Sequence, residues 1–339
     1  MLVDIFRSDL FRTTSLTSSI NAVETPPQRI EELGLFDDKP VRTTSVVIER
    51  KDGVLSIIPA KARGADPTPM RDNTRSGISL EVPHYPARDE ILADEVQGVR
   101  AFGSESELEG VEAVRDEKLT NMANALDATE EYARLGAIQG VILDHDGSVI
   151  YDLYDEFGVT EADPIYLDLS AAHTAGTGVI RKKLTLLKDR MRRILKNKPV
   201  RGVWAPCGAD LFNDLTNHPE LRETYLNQQE ARDLRGGDPQ ERFTYGGVTF
   251  ELYPGYGDVE IDPDECRFVP IGVPGLFQSI YAPAPWFSAV NTLGLPRYSM
   301  ATLDPTGEKR IDLESQTNGL HICTRPEALI PGVRTADPG

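Results

Sequence analysis

Apolar positions recur along the chain with two different spacings, and each spacing predicts its own kind of element. Between residues 104 and 139, Leu108, Val111, Leu119, Met122, Leu126 and Ile138 include steps of three and seven, the mark of a helix with one buried face. Ser104 or Ser106 can cap that helix, and Glu105, Glu107 and Glu109 fall in its first turns, where the helix dipole favours negative charge. Gly136 and Gly140 mark its end. At 1.5 Å per residue, a helix of about 30 residues reaches about 45 Å. A second amphipathic helix is predicted over 177–198, where Ile180, Leu184, Leu187, Met191 and Ile194 step by four and three. Its opposite face is basic, running from Arg181, Lys182 and Lys183 to Arg192, Arg193, Lys196 and Lys198, against a single Asp189.

Period-two patterns predict strands elsewhere. Residues 43–49 and 53–59 alternate on either side of Lys51-Asp52-Gly53 and read as a hairpin, and 79–85 reads as a further strand. Between them, 60–77 is rich in Arg, Asp, Pro and Gly and nearly free of large apolar side chains, so it reads as a charged loop reaching toward a support outside itself. Residues 141–154 read as a hairpin turning at Asp144-His145-Asp146-Gly147. Residues 200–205 read as a strand, 208–226 as a helix, and 243–253 as a hairpin or bent strand around Gly246-Gly247. A strand at 267–271 leads into a Pro/Gly/aromatic stretch through Trp286, and 308–324 alternates again. Residues 1–40 offer Ile5, Phe6, Leu10 and Phe11 before a Thr/Ser stretch, and read as an extended arm with one short helix at 28–33. The class predicted is α+β.

Composition narrows the function. Lys and Arg number 36 against 54 Asp and Glu, a formal net charge of −18 in 339 residues. That excess repels phosphate backbones and argues against a dedicated nucleic-acid-binding protein. Cys207, Cys266 and Cys323 are few and far apart, which argues against a disulfide scaffold and a structural zinc site, and the five histidines show no ligand spacing. No apolar run approaches the length of a membrane span, and the first residues do not read as a secretory signal, so the expectation is a soluble protein made in a reducing cytosol.

One segment imitates an enzyme. Val141-Ile142-Leu143-Asp144-His145-Asp146-Gly147-Ser148 resembles the first motif of haloacid-dehalogenase-like phosphohydrolases, which would make Asp144 the nucleophile and Asp146 the acid/base beside Mg²⁺. The motif follows a long helix in mid-chain and precedes a strand-like run, and Asp-Gly between apolar runs is an ordinary hairpin turn. Gly176-Thr177-Gly178 opens the second helix without the full phosphate-loop spacing, and no Gly-x-Ser-x-Gly elbow exists.

The order of elements (arm, protruding hairpin, long helix, hairpin, α/β region, final strands) resembles the major capsid proteins of tailed phages, in particular the lambda-type capsid protein E family. The likeness runs over roughly 5–330. It includes Arg29–Phe36, the charged run at 86–95, and the helix end Glu130-Glu131-Tyr132-Ala133-Arg134-Leu135-Gly136-Ala137-Ile138-Gln139-Gly140. It continues through Asp146-Gly147-Ser148-Val149-Ile150-Tyr151-Asp152, Glu156-Phe157-Gly158 and the tail 307–326. The resemblance implies an arm at 1–40, an extended hairpin loop at 41–100, a peripheral domain with a spine helix at 101–164, an axial domain at 165–300 and a return to the peripheral domain at 301–339. It further implies no catalysis, cofactor or metal, and assembly of identical copies into hexamers and pentamers of an icosahedral shell around double-stranded DNA. Contact with that DNA would be non-specific, and decoration, scaffolding and portal proteins are candidate partners. Arg63, Arg71 and Arg75 in the loop are then expected to meet Glu105, Glu107 or Glu109 of an adjacent subunit.

Overall fold

The computed structural model describes residues 11–23, 29–51, 75–96, 107–169, 178–196, 198–222, 224–226, 242–253, 261–304 and 309–336, with backbone only at 49–51, 75–76, 96 and 107–110. In chain order the elements are α1 (Thr13–Ala22), α2 (Arg29–Glu32), β1 (Phe36–Pro40), β2 (Ser45–Lys51), β3 (Arg75–Glu81), β4 (Tyr85–Leu92), α3 (Ala93–Val96) and α4 (Glu107–Gln139). There follow β5 (Val141–Leu143), β6 (Val149–Asp152), α5 (Leu153–Glu156), β7 (Ile165–Tyr166), α6 (Val179–Ile194), β8 (Gly202–Cys207) and α7 (Ala209–Asn217). The last are β9 (Arg242–Tyr245), β10 (Val248–Leu252), β11 (Glu265–Ile271), β12 (Phe277–Tyr281), β13 (Tyr298–Leu303), β14 (Arg310–Thr317), β15 (Gly319–Cys323) and β16 (Ile330–Val333). They divide between two compact units. The first comprises Met1–Val46, Ser79–Arg134 and Gln278–His321, and the second Val47–Ile78, Leu135–Phe277 and Ile322–Gly339.

In the first unit, β14 lies between β13 and β4 in an antiparallel sheet, with Leu313 opposite Ala301 on one side and Asp89 on the other. Alternation sends Ile311 and Leu313 inward with Ile91, where they meet Val111 and Met122 of α4 and Phe11. The outward set is charged, and Arg88 bonds Asp312 at 2.7 Å on the exposed face. A further three-stranded sheet orders as β1-β12-β15.

The Thr/Ser stretch expected to be an extended arm is helical from Thr13 to Ala22. Leu16 and Ile20, one turn apart, bury themselves against Leu119, Ala123 and Leu126 of α4. The polar positions have work of their own. Thr17 Oγ1 donates to the Ser299 carbonyl and accepts from the Ser299 N–H, both at 3.2 Å, and Asn21 donates to the Arg297 carbonyl at 2.8 Å. Helix α1 therefore satisfies backbone groups on the outer edge of β13.

The second unit is built on a six-stranded mixed sheet, β7-β16-β11-β8-β10-β9. Strand β10 runs parallel to β8 and β16 parallel to β7, while β8–β11, β11–β16 and β9–β10 are antiparallel. Val203, Ala205, Val248, Phe250, Phe268 and Ile330 share one face, against which α6 places Ile180, Leu184, Leu187 and Met191 and α7 places Leu211, Phe212 and Leu215. The hairpin β9–β10 turns on Gly246 (φ +59°) and Gly247 (φ +81°), the pair of positive φ angles such a two-residue turn requires. Helix α7 ends at Asn217, earlier than the expected 226, because His218 precedes Pro219 and is driven to extended geometry (ψ 133°). The three cysteines are buried free thiols.

Helix α4 runs from Glu107 through Gly136 to Gln139 and reaches about 50 Å, the expected residues 104–106 lying outside the described ones. It stops at Gln139 because Gly140 takes φ +91° and packs its bare Cα against the Tyr154 ring, which a Cβ would approach to 2.4 Å. The hairpin expected at 141–154 is present as β5–β6. For β2 the structure shows β3 as partner, and the expected strand 53–59 lies outside the described residues.

Replacing Thr17 by Val keeps its shape and removes both bonds to Ser299. Thr17→Val is expected to lower stability by roughly 1–3 kcal/mol in urea denaturation, while Thr17→Ser retains most of it.

Candidate functional site

The residues nominated for contact between subunits are placed unevenly. Arg63, Arg71 and Glu105 lie outside the described residues. Arg75 begins β3, and Glu107 and Glu109 occupy the first turn of α4, with backbone alone described at all three.

The enzyme-like motif is a turn. Asp144 N–H donates to the Ser148 carbonyl at 2.8 Å and the Gly147 N–H to the Asp144 carbonyl at 3.0 Å, with Gly147 at φ +80°. The carboxylates serve the same turn: Asp144 accepts from the His145 N–H at 2.7 Å and Asp146 from the Ser148 N–H at 2.9 Å. Hydrogen bonding from the Ser148 side chain and from its N–H holds the Asp146 carboxyl below the usual carboxylate range, the reverse of what a general acid needs. Ligand atoms of Asp144, His145 and Asp146 lie within 4.8 Å of one another on this exposed turn.

The glycine-led start of α6 is also occupied from within. Gly178 takes φ +65°, and the Glu220 carboxylate accepts from the Ile180 N–H at 3.2 Å, the Arg181 N–H at 3.0 Å and the Tyr245 hydroxyl at 3.1 Å. A protein carboxylate thus fills the anion position of this helix N-terminus. Along the basic face, Lys183 donates to the Leu167 carbonyl, Lys188 to the Gly246 carbonyl and Arg190 to the Asp163 carbonyl, whereas Arg181, Lys182, Arg192 and Arg193 are exposed.

Two further features of the first unit stand out. One is a buried ionic cluster on α4. Glu130 accepts from Arg134 one turn along at 2.8 Å, from Thr317 at 2.8 Å and from Tyr281 at 3.1 Å. Glu131 accepts the Ile30 N–H of α2 at 2.9 Å, and Asp127 pairs with Arg297. Burial pushes the Glu130 carboxyl up, against the pull of Arg134. His321, fully buried, bonds Ser279 through Nδ1 at 2.8 Å, and burial with the nearby Arg134 charge drives its pKa well below 6.5. The Glu130-to-Arg134 spacing was visible in the sequence as a helical i, i+4 pair, but its burial was not.

The second feature is an apolar groove of about 570 Å³ between α1 and residues 286–298, lined by Thr13, Thr17, Asn21, Trp286, Leu293 and Tyr298 among others, none of them charged. Beside it Phe287 is fully exposed, and Val290, Leu293 and Leu295 are also open to solvent. Sequence reading stopped at a Pro/Gly/aromatic stretch ending with Trp286. The signal it passed over is the run of large apolar side chains from Phe287 to Leu295, which has neither period.

Arg134→Met leaves Glu130 buried without its cation and is expected to cost about 3–5 kcal/mol. The loss should be greater at about pH 8 than at about pH 5, because the folded state then favours a protonated Glu130 more strongly. Urea denaturation at the two pH values measures both. His321 stays neutral in the folded state while the unfolded chain takes up a proton below about pH 6.5, so its contribution is lost as pH falls, at up to about 1.4 kcal/mol per unit. His321→Gln should flatten that part of the stability profile.

Comparison with known proteins follows the architecture. The family described as Phage major capsid protein E matches residues 12–334. The major capsid protein of Pseudomonas phage KPP10 is 28% identical over 344 residues, covering 95% of this chain and 96% of that protein. The major capsid protein of Salmonella phage Felix O1 is 27% identical over 371 residues, covering 97% and 98%. A solved prophage protein assigned as a capsid protein (E. coli CFT073) superposes with a TM-score of 0.58 at 13% identity, over 95% of this chain and 99% of that one, a likeness of fold. With the match running from α1 to the end of β16, the chain belongs to the phage major capsid protein E family.

Proposed function

We propose that this chain is the shell subunit of a phage head, copied into hexamers and pentamers that close an icosahedral shell around double-stranded DNA. The observation that carries this reading is the extent of the family match, which takes in every element from α1 to β16, together with relatives of nearly the same length. A structural role follows from that family, and the local chemistry agrees: the carboxylates of the Asp144–Asp146 turn are engaged by the turn itself. Equal copies closing by symmetry are the physical route to such a shell.

Within this reading, 41–100 is the extended loop lying over a neighbour, 101–164 the peripheral domain with α4 as its spine, 165–300 the axial domain and 301–339 the return, behind an arm at 1–40. Arg63, Arg71 and Arg75 of the loop meet Glu105, Glu107 or Glu109 of the adjacent subunit. Assembly takes place in the host cytoplasm, with portal, scaffolding or decoration proteins as further partners. Contact with packaged DNA is non-specific, as suits a chain carrying −18.

Electron microscopy of the overexpressed protein tests the reading: closed shells, tubes or capsomers are expected, and a compact single copy at every concentration refutes it. Reversing the loop charges together (Arg63→Glu, Arg71→Glu, Arg75→Glu) is expected to reduce assembly at least several-fold while circular dichroism stays that of the folded subunit. Undiminished assembly removes the proposed pairing.

A further inference from the structure

We propose that the apolar groove beside α1 is a docking surface for a second copy of this chain, and that the Phe287 side chain of that copy enters it. The proposal rests on the shell reading, which supplies the second copy, and goes beyond it by naming the surface.

Four observations carry it. First, Phe287 is fully exposed, with Val290 at 58%, Leu293 at 49% and Leu295 at 43%, so nine consecutive residues present four large apolar side chains to water. Contiguous apolar surface of this kind marks an interaction site.

Second, the segment is held in place. The Ala289 N–H bonds the Trp286 carbonyl at 2.9 Å, the Leu295 N–H bonds the Tyr298 hydroxyl at 3.0 Å, and the Gly294 N–H bonds the Val41 carbonyl at 2.9 Å. Gly294 lies so close to β12 that a Cβ there would stand 2.0 Å from the Tyr281 carbonyl oxygen. A pre-set knob loses little conformational entropy on docking.

Third, the groove of about 570 Å³ is walled by Trp286, Leu293, Leu295 and Tyr298 on one side and by Thr13, Thr17 and Asn21 of α1 on the other. Phe287 stands between Trp286 and Ser288 of the lining, so each copy carries both halves of the contact.

Fourth, among the described residues no charged side chain lines the groove, in a chain of net charge −18. Copies that repel one another overall can meet most closely where neither brings charge. A nucleic acid or a strongly charged protein would find no opposite charge among these lining residues.

Phe287→Asp and Ser18→Arg each place charge in the contact, at exposed positions that leave the core untouched. Both variants are expected to keep the wild-type circular dichroism and melting transition and to lose roughly ten-fold or more of the assembled particles seen by sedimentation and electron microscopy. A photo-crosslinking benzoylphenylalanine at position 287 should give covalent dimers of the chain, with the linked peptide falling in 13–22 or 286–298. Wild-type shells accompanied by equally abundant Phe287→Asp shells overturn this inference and leave the shell reading standing. Links from position 287 to residues 1–10 of the same chain, or to a different protein, also overturn it. A wild-type protein that never assembles overturns the shell reading, and this inference with it.

Discussion

The buried pair of Glu130 and Arg134 is a constraint that the rest of the first unit has to satisfy. Each ion would be costly to bury alone, so the fold is acceptable only where every partner is in place at once. The partners come from far apart in the chain: Thr317 at the end of β14, Tyr281 on β12, and Glu31 on α2, whose carboxylate stands 3.7 Å from Arg134. Next to them, Glu131 holds the Ile30 N–H. A rotation of α4 by one residue would carry these charges about 100° round the helix, away from their partners. The cluster therefore sets the rotational register of α4, and with it the face that meets Ile91, Ile311 and Leu313.

The same unit shows how exposed backbone is disposed of when apolar surface is scarce. Helix α1 buries only Leu16, Thr17 and Ile20, and part of its attachment is made through side-chain hydrogen bonds to the main chain of Ser299 and Arg297. At Ser299 the outer edge of β13 is thus met by a hydroxyl group, and just before it at Arg297 by an amide. Open strand edges invite pairing with other chains, and a protein that meets its own copies must control where that happens. In the same region the apolar surface around Phe287 stays exposed.

Local motifs suggestive of chemistry are used up by the fold itself. The Asp-His-Asp-Gly sequence resembles a phosphohydrolase motif because a nucleophile loop and a tight hairpin need the same residues: a short carboxylate that accepts backbone N–H groups and a glycine at positive φ. Here the hairpin accounts for both. The start of α6 likewise offers N–H groups to an anion and receives Glu220.

By itself the sequence determined the elements whose evidence is local. The i, i+3, i+7 pattern of α4 and its stop at Gly140, the stepped leucines of α6, and the glycine turns at 147 and 246–247 follow from side-chain periodicity and from φ angles that only glycine adopts freely. The order of those elements carried the family. What needed tertiary structure was everything settled by a distant partner. Helix α1 was unreadable because its Thr and Asn side chains find their acceptors near residue 299 rather than close by in sequence. The partner of β2, the burial of Glu130 and the exposure of Phe287 share that character. Composition and spacing describe what a side chain can do, but whether a charge is buried or a phenylalanine faces water depends on which remote segment lies against it.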